Sequence, residues 1–183
     1  MSFFKTVFKK VFKIPSKSVT IEDDKKALIN LFKSVAIVGD LDPKQVKAIR
    51  EAVLLTGIAY YDTMLTVFAN IDICHSHAYA DRINLYTGSC NLLDLKYVLI
   101  HELRHVQQFA SGDLKQVGDN VVFKGQIVDT HPVFDNALHI KRPQEIDANL
   151  YAISMCGPDG YFNGGVLDIV EKTLALEEEK QAA

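Results

Sequence analysis

Residues 91–110 read Asn-Leu-Leu-Asp-Leu-Lys-Tyr-Val-Leu-Ile-His-Glu-Leu-Arg-His-Val-Gln-Gln-Phe-Ala, and the spacing inside this stretch decides how the rest of the chain is read. Leu92, Leu95, Leu99, Leu103 and Val106 recur every three or four positions, the period of a helix with one apolar stripe. Asp94, Tyr97, His101, His105 and Gln108 fall on the opposite side, a polar face in an otherwise largely apolar segment. His101 and His105 are four apart, so their directions differ by roughly 40° around the axis and both imidazoles can reach one metal ion. Glu102 lies beside that face, where a carboxylate can accept a proton from a metal-activated water without occupying a coordination position. His-Glu-x-x-His in a helix is thus the core of a zinc hydrolase.

A catalytic zinc site takes three protein ligands and leaves a fourth position open, so a third ligand is required. The extended motif with a glycine at 108 and a histidine at 111 is absent, since Gln108 and Ser111 stand there. Farther along, Pro143–Met155 reads as a helix with Ile146, Leu150 and Ile153 inward and Gly157–Pro158 as its stop. It carries Glu145 and Asp147, and His75, His77, His131 and His139 are further candidates.

At Pro143-Gln-Glu145-Ile-Asp147-Ala148-Asn149 the chain resembles gluzincin metallopeptidases, which carry a Glu-x-x-Ala/Ser-Asp/Asn element on a second helix. The resemblance implies that Glu145 is the third zinc ligand, ahead of Asp147. It also implies that Asn149, one turn on, orients the imidazole of His101 from outside the coordination sphere. Over residues 71–155 the chain is similar to small bacterial zincin-like domains of uncharacterised function. Their pattern is a strand, a short loop and His-Glu-Leu-x-His-Val-x-Gln, matched here by Ile83–Gly88 and Leu99–Gln108. Those domains often have Asp where this chain has Asn149. The implied fold is α+β and zincin-like, a small mixed sheet with an active-site helix and a second, ligand-bearing helix.

Outward from the motif, helices are expected at Ile21–Val38 and Pro43–Thr56, the second capped by Asp42 with Pro43 in its first turn. Strands are expected at Thr63–Ile73 and Arg82–Tyr86, a small hairpin at Val121–Val128 broken at Lys124–Gly125, and a last helix near Gly165–Glu179. Cys74-His75-Ser76-His77 alternates in direction on a β-like segment, so these residues pack or line a cleft rim rather than form a second metal cluster. Residues 19–183 make one domain. Residues 1–18 stand apart as a basic amphipathic helix, with Lys5, Lys9, Lys10, Lys13 and Lys17 interleaved with phenylalanines, suited to peripheral membrane contact or a partner groove.

Composition narrows the class further. With 183 residues, 48% hydrophobic and 23% charged, the chain can bury a core and is not disordered. Twenty basic against 23 acidic residues give −3, which offers no field for a nucleic-acid backbone. Cys74, Cys90 and Cys156 form no Cys-x-x-Cys pair, in keeping with a reducing, cytoplasmic setting. No apolar run reaches the roughly 20 residues that cross a bilayer.

The expected activity is hydrolysis of a protein or peptide substrate by a zinc metallopeptidase. Arg82–Tyr86 would serve as the edge strand that pairs with an extended substrate, Zn2+ would polarise the carbonyl, and Glu102 would move the proton. Tyr151, His131 and His139 are the side-chain types able to steady the oxyanion. The competing class is a catalytically inactive zincin-like interaction module. Glu102 favours the enzyme, because a purely structural zinc site closes with four protein ligands and has no use for an adjacent base.

Overall fold

The structure, a computed structural model, describes residues 26, 28–71, 76–88, 90–128 and 141–157. The expected helices at 1–18 and 165–179, together with Cys74, His75, His131 and His139, lie outside the described residues. Within them the fold is mixed α+β, with three helices and two small sheets. In chain order the elements are β1 (Phe32–Val38), α1 (Pro43–Leu55), β2 (Tyr61–Phe68), β3 (His77–Ala78), β4 (Arg82–Tyr86), α2 (Leu92–Ser111), β5 (Leu114–Val117), β6 (Asn120–Phe123), β7 (Gln126–Val128) and α3 (Pro143–Cys156).

Strand β2 shows how the main sheet is oriented. Tyr61, Thr63, Leu65 and Val67 are buried while Asp62 and Met64 are exposed, the period of two expected of a strand with one face on the core. β1 and β4 flank β2 in parallel, and β3 closes the sheet antiparallel to β4, giving the order β1-β2-β4-β3. Parallel neighbours need a crossover, and α1 supplies it between β1 and β2. Asp42 caps α1 by accepting from the Lys44 amide at 2.6 Å, and the Gln45 side chain accepts from the Asp42 amide at 3.1 Å, a complete capping box.

Helix α2 runs through the middle of the molecule, against α1, α3, β3, β4 and β5. Its apolar side joins Leu28, Phe32, Ile49, Val53, Leu65, Ile83 and Leu85 in the main core. Helix α3 approaches α2 through Ala148 and Ala152, both fully buried, and these small side chains let the two helices come close. The second sheet is the meander β5-β6-β7, joined to the end of α2 and folded over Leu114, Phe123 and Val128. Its second turn holds Lys124 at φ 47° and Gly125 at φ 81°, the paired positive φ of a tight two-residue hairpin.

Four expectations are corrected. The helix expected over Ile21–Val38 gives way to strand β1 from Phe32 onward; among the described residues of that stretch only Lys26, Leu28 and Ile29 are helical. The register of β1 against β2 slips between Phe32 and Ser34, so Phe32 and Val35, three apart, both turn inward and imitate helical spacing. The strand expected at Thr63–Ile73 ends at Phe68, and Asn70 turns the chain at φ 57°. Arg82–Tyr86 is not the edge strand: β4 is paired on both sides, and the antiparallel edge is β3. Leu150 is exposed, because the inward side of α3 is taken by Glu145, Ile146, Ala148, Asn149 and Ala152. Among the described residues no helix is long and apolar enough to cross a membrane.

Candidate metal centre

The phase of α2 is fixed at both ends. The Asn91 side chain accepts from the amides of Leu93 at 2.9 Å and Asp94 at 3.0 Å, and Gly112, at φ 77°, ends the helix in the left-handed conformation that glycine adopts without strain. One turn apart on the side facing α3, the His101 and His105 rings meet edge to face at 4.7 Å, with their Nε2 atoms 3.1 Å apart. Pro143 opens α3, and Glu145 stands in its first turn, where a carboxylate is favoured by the helix dipole. Its Oε2 lies 3.2 Å from Nε2 of His101 and 3.3 Å from Nε2 of His105.

Three lone-pair-bearing atoms therefore converge on one point. Such a set is stable only with protons or a cation between its members, because two imidazole nitrogens and a carboxylate oxygen otherwise repel one another. Burial alone would hold His105 neutral, but the hydrogen bond and charge of Glu145, with Glu102 nearby, reverse this and push the imidazole up to about 9. His101, His105 and Glu145, whose ligand atoms lie within 4.8 Å of one another, could bind a metal ion. Two nitrogens and one carboxylate oxygen suit a first-row divalent ion, and the fit rests on this donor set.

The residues around the three are arranged to hold them. Asn149 Oδ1 accepts from the Tyr97 hydroxyl at 2.6 Å and faces Nδ1 of His101 at 3.0 Å. Nδ1 of His105 faces Gln108 Oε1 at 2.8 Å. Asp147 does not join the group. It accepts from Arg104 Nε at 2.7 Å, Gln108 Nε2 at 2.9 Å and Lys124 Nζ at 3.4 Å. Burial works to raise its carboxyl, but these donors and cations hold it below the usual range.

Glu102 lies beside the three rather than among them. It is buried and lines a cavity of about 160 Å³ together with His101, His105 and Glu145. Burial pushes its carboxyl up from the ordinary range; the histidines oppose that and Glu145 adds to it. The cavity has two further walls. Ser76, His77 and Ala78 form the rim contributed by the edge strand, and Phe109, Leu114 and Val121 form an apolar wall where α2 meets the meander.

His77, a weaker ligand candidate, pairs with Asn84 Nδ2 at 3.0 Å and packs against Tyr79 and Tyr86, outside the ligand group. Tyr151 does not line the cavity: its hydroxyl accepts from Gln107 at 3.4 Å and its ring lies under Arg104. Sequence spacing placed Tyr97 and Gln108 on the histidine face without assigning them a task. Their positions, four before His101 and three after His105, are the signal that could have done so. Comparison of the chain with protein-family models, with curated proteins and with solved structures gave no match in any of the three.

Proposed function

We propose that this chain is a zinc-dependent metallopeptidase of gluzincin type on a zincin-like fold, acting on protein or peptide substrates. The observation that carries the reading is the placement of Glu102: buried, on the cavity wall, and next to a three-ligand group it does not join. Zinc held by His101, His105 and Glu145 would supply Lewis acidity, polarising a substrate carbonyl and making a water acidic enough to lose a proton near neutral pH. Glu102 is the base that receives this proton and the acid that returns it to the leaving amine. Its burial, which raises the carboxyl, suits the second task as well as the first.

Substrate placement falls to β3. His77–Ala78 forms an antiparallel edge at the cavity rim, and main-chain groups on a sheet edge bind an extended peptide by strand addition. An edge two residues long fixes one or two backbone units beside Glu102, enough to position one scissile bond. The apolar wall of Phe109, Leu114 and Val121 keeps water from that side of the cavity.

The test is metal content by mass spectrometry on protein purified without added metal, paired with hydrolysis of a mixed peptide library. About one zinc per wild-type chain, lost in Glu145→Ala and kept in Glu102→Gln, with cleavage only by wild type, is the expected result. Wild type that cannot be loaded with zinc overturns the reading. Zinc retention without cleavage of any peptide leaves the inactive interaction module as the better account.

A further inference from the structure

We propose that Gln108, held by Asp147 and by the Gln144 carbonyl, is a positioning residue that commits His105 to one tautomer, with hydrogen on Nδ1 and the Nε2 lone pair turned to Glu145 and the cavity. A glutamine amide has an end that only accepts and an end that only donates. Gln108 is 1% exposed, so no water can make good a wrong orientation. Its Nε2 reaches the Gln144 carbonyl oxygen at 3.1 Å and Asp147 Oδ2 at 2.9 Å. Both are acceptors, and Asp147 accepts in turn from Arg104 Nε at 2.7 Å and Lys124 Nζ at 3.4 Å. Turning the amide over would set Oε1 against two oxygens that cannot donate, and would bury that clash.

The amide orientation therefore has one solution, and it presents Oε1 to Nδ1 of His105 at 2.8 Å. A carbonyl oxygen only accepts, so Nδ1 must carry the hydrogen. The neutral ring is then left with its lone pair on Nε2, which lies 3.3 Å from Glu145 Oε2 and 3.1 Å from His101 Nε2. The chain of cause runs from Arg104 and Lys124 to Asp147, then Gln108, then His105. Lys124 sits in the β6–β7 turn, so the meander helps set the orientation of a ring on α2. The consequence for metal affinity, though not for the tautomer, rests on the metal-site reading above.

Asp147→Asn tests the chain with almost no change of shape, because an Asn amide can donate to Gln108 and so removes one of the two acceptors that fix its orientation. Long-range proton–nitrogen NMR of histidine-labelled protein reads the His105 tautomer, and competition with a chelator reads Zn2+ affinity. In metal-free wild type, at a pH high enough to leave the ring neutral, His105 should be wholly the Nδ1–H form. Asp147→Asn and Gln108→Leu should give mixed tautomers and bind Zn2+ about 10- to 100-fold more weakly, the usual effect of losing a partner that orients a ligand. Glu51→Gln, which removes an ion pair to Lys96 elsewhere on α2, should change neither. If wild type binds no zinc, the metal reading fails and the tautomer measurement alone decides this one. A wild-type His105 with hydrogen on Nε2, or an Asp147→Asn protein that keeps a single Nδ1–H form, overturns the proposal.

Discussion

Helices α1 and α2 pack against each other and share one core, yet they bury different things. α1 buries Val46, Ala48, Ile49, Ala52 and Val53, all apolar, and leaves Lys44 and Lys47 in solvent. α2 buries a comparable apolar set on one side, Leu95, Leu99, Ile100, Leu103 and Val106, and on the other Tyr97, Glu102, His105 and Gln108. A buried polar group without a partner costs about 1–3 kcal/mol, so a helix chosen only for stability would look like α1. The polar side of α2 is tolerated because Asn149, Glu145 and Asp147 from α3 satisfy it, and because α3 turns small or polar residues, not leucines, toward it. The difference separates a helix that holds the fold from one that holds, on the proposed reading, a reacting group in place.

The strongest break of that comparison comes from Glu102→Gln. Removing a positioned base lowers turnover by about 100- to 10,000-fold in general acid–base catalysis, and the change should leave zinc content and thermal midpoint near wild type. Kinetics on any peptide found to be cleaved, with metal analysis of the same sample, checks it. On α1 the matching change is Ile49→Ala, which empties a fully buried site and should cost about 2–5 kcal/mol in urea unfolding. Zinc affinity measured well below the unfolding midpoint should stay within about twofold. A large loss of affinity there would mean that the two helices are not separable in function.

Titration gives the next contrast, since of these two helices only α2 carries buried groups with raised values. In metal-free protein His105 is raised from 6.5 to about 9, so its contribution to stability is whole below 6.5 and is lost as pH climbs to about 9. Glu102, also raised, adds a fall of the same sign that begins above its ordinary value of 4.5. Urea midpoints of chelator-treated protein should therefore fall between pH 6.5 and about 9. The fall above pH 6.5 should largely disappear in Glu145→Gln, which removes the charge that raises His105. A flat profile in wild type would mean that the two are not paired in the metal-free state.

How much of this was readable in advance follows from the same physics. The His101–His105 pair, the polar face of α2 and its opening at Asn91 depend on helical spacing and capping, which are local and written in the sequence, whereas Glu145 and Asn149, on another helix, were implied only by the resemblance. Asp42-Pro43 and the Lys124–Gly125 turn were legible for the same reason: each is a few residues whose conformation is set by their own chemistry. The sheet was not. Leu28, Leu31, Phe32 and Val35 keep helical spacing into β1 because a register slip, decided by pairing with β2, turns Phe32 and Val35, three apart, to the same side. β3 is two residues long, too short for any periodic signal, so the edge was assigned to the longer β4. Pairing partners, edges and slips are properties of two strands, and one strand's sequence does not contain them.

The smallest effect sets the sheet beside the polar side of α2. Thr63 on β2 is fully buried, and its hydroxyl has no hydrogen-bond partner among the described residues, while its neighbours Leu65 and Val67 on the same face are apolar. Thr63→Val keeps the shape and β-branching and removes an unsatisfied donor and acceptor, so unfolding free energy should rise by about 1 kcal/mol. Zinc uptake and cleavage should not change, because the site's polar network does not pass through Thr63. The parallel exchange on α2, Gln108→Leu, also replaces a buried polar group by an apolar one of similar size. There Gln108 is satisfied on both sides, and its loss strands the Gln144 carbonyl, Asp147 and His105, so stability should fall rather than rise. Opposite signs for two changes of the same chemical kind would show that partners, not polarity, determine what a buried group costs. A destabilised Thr63→Val protein would mean that the hydroxyl is satisfied after all, and the sheet would then lose its standing as the purely structural half of the comparison.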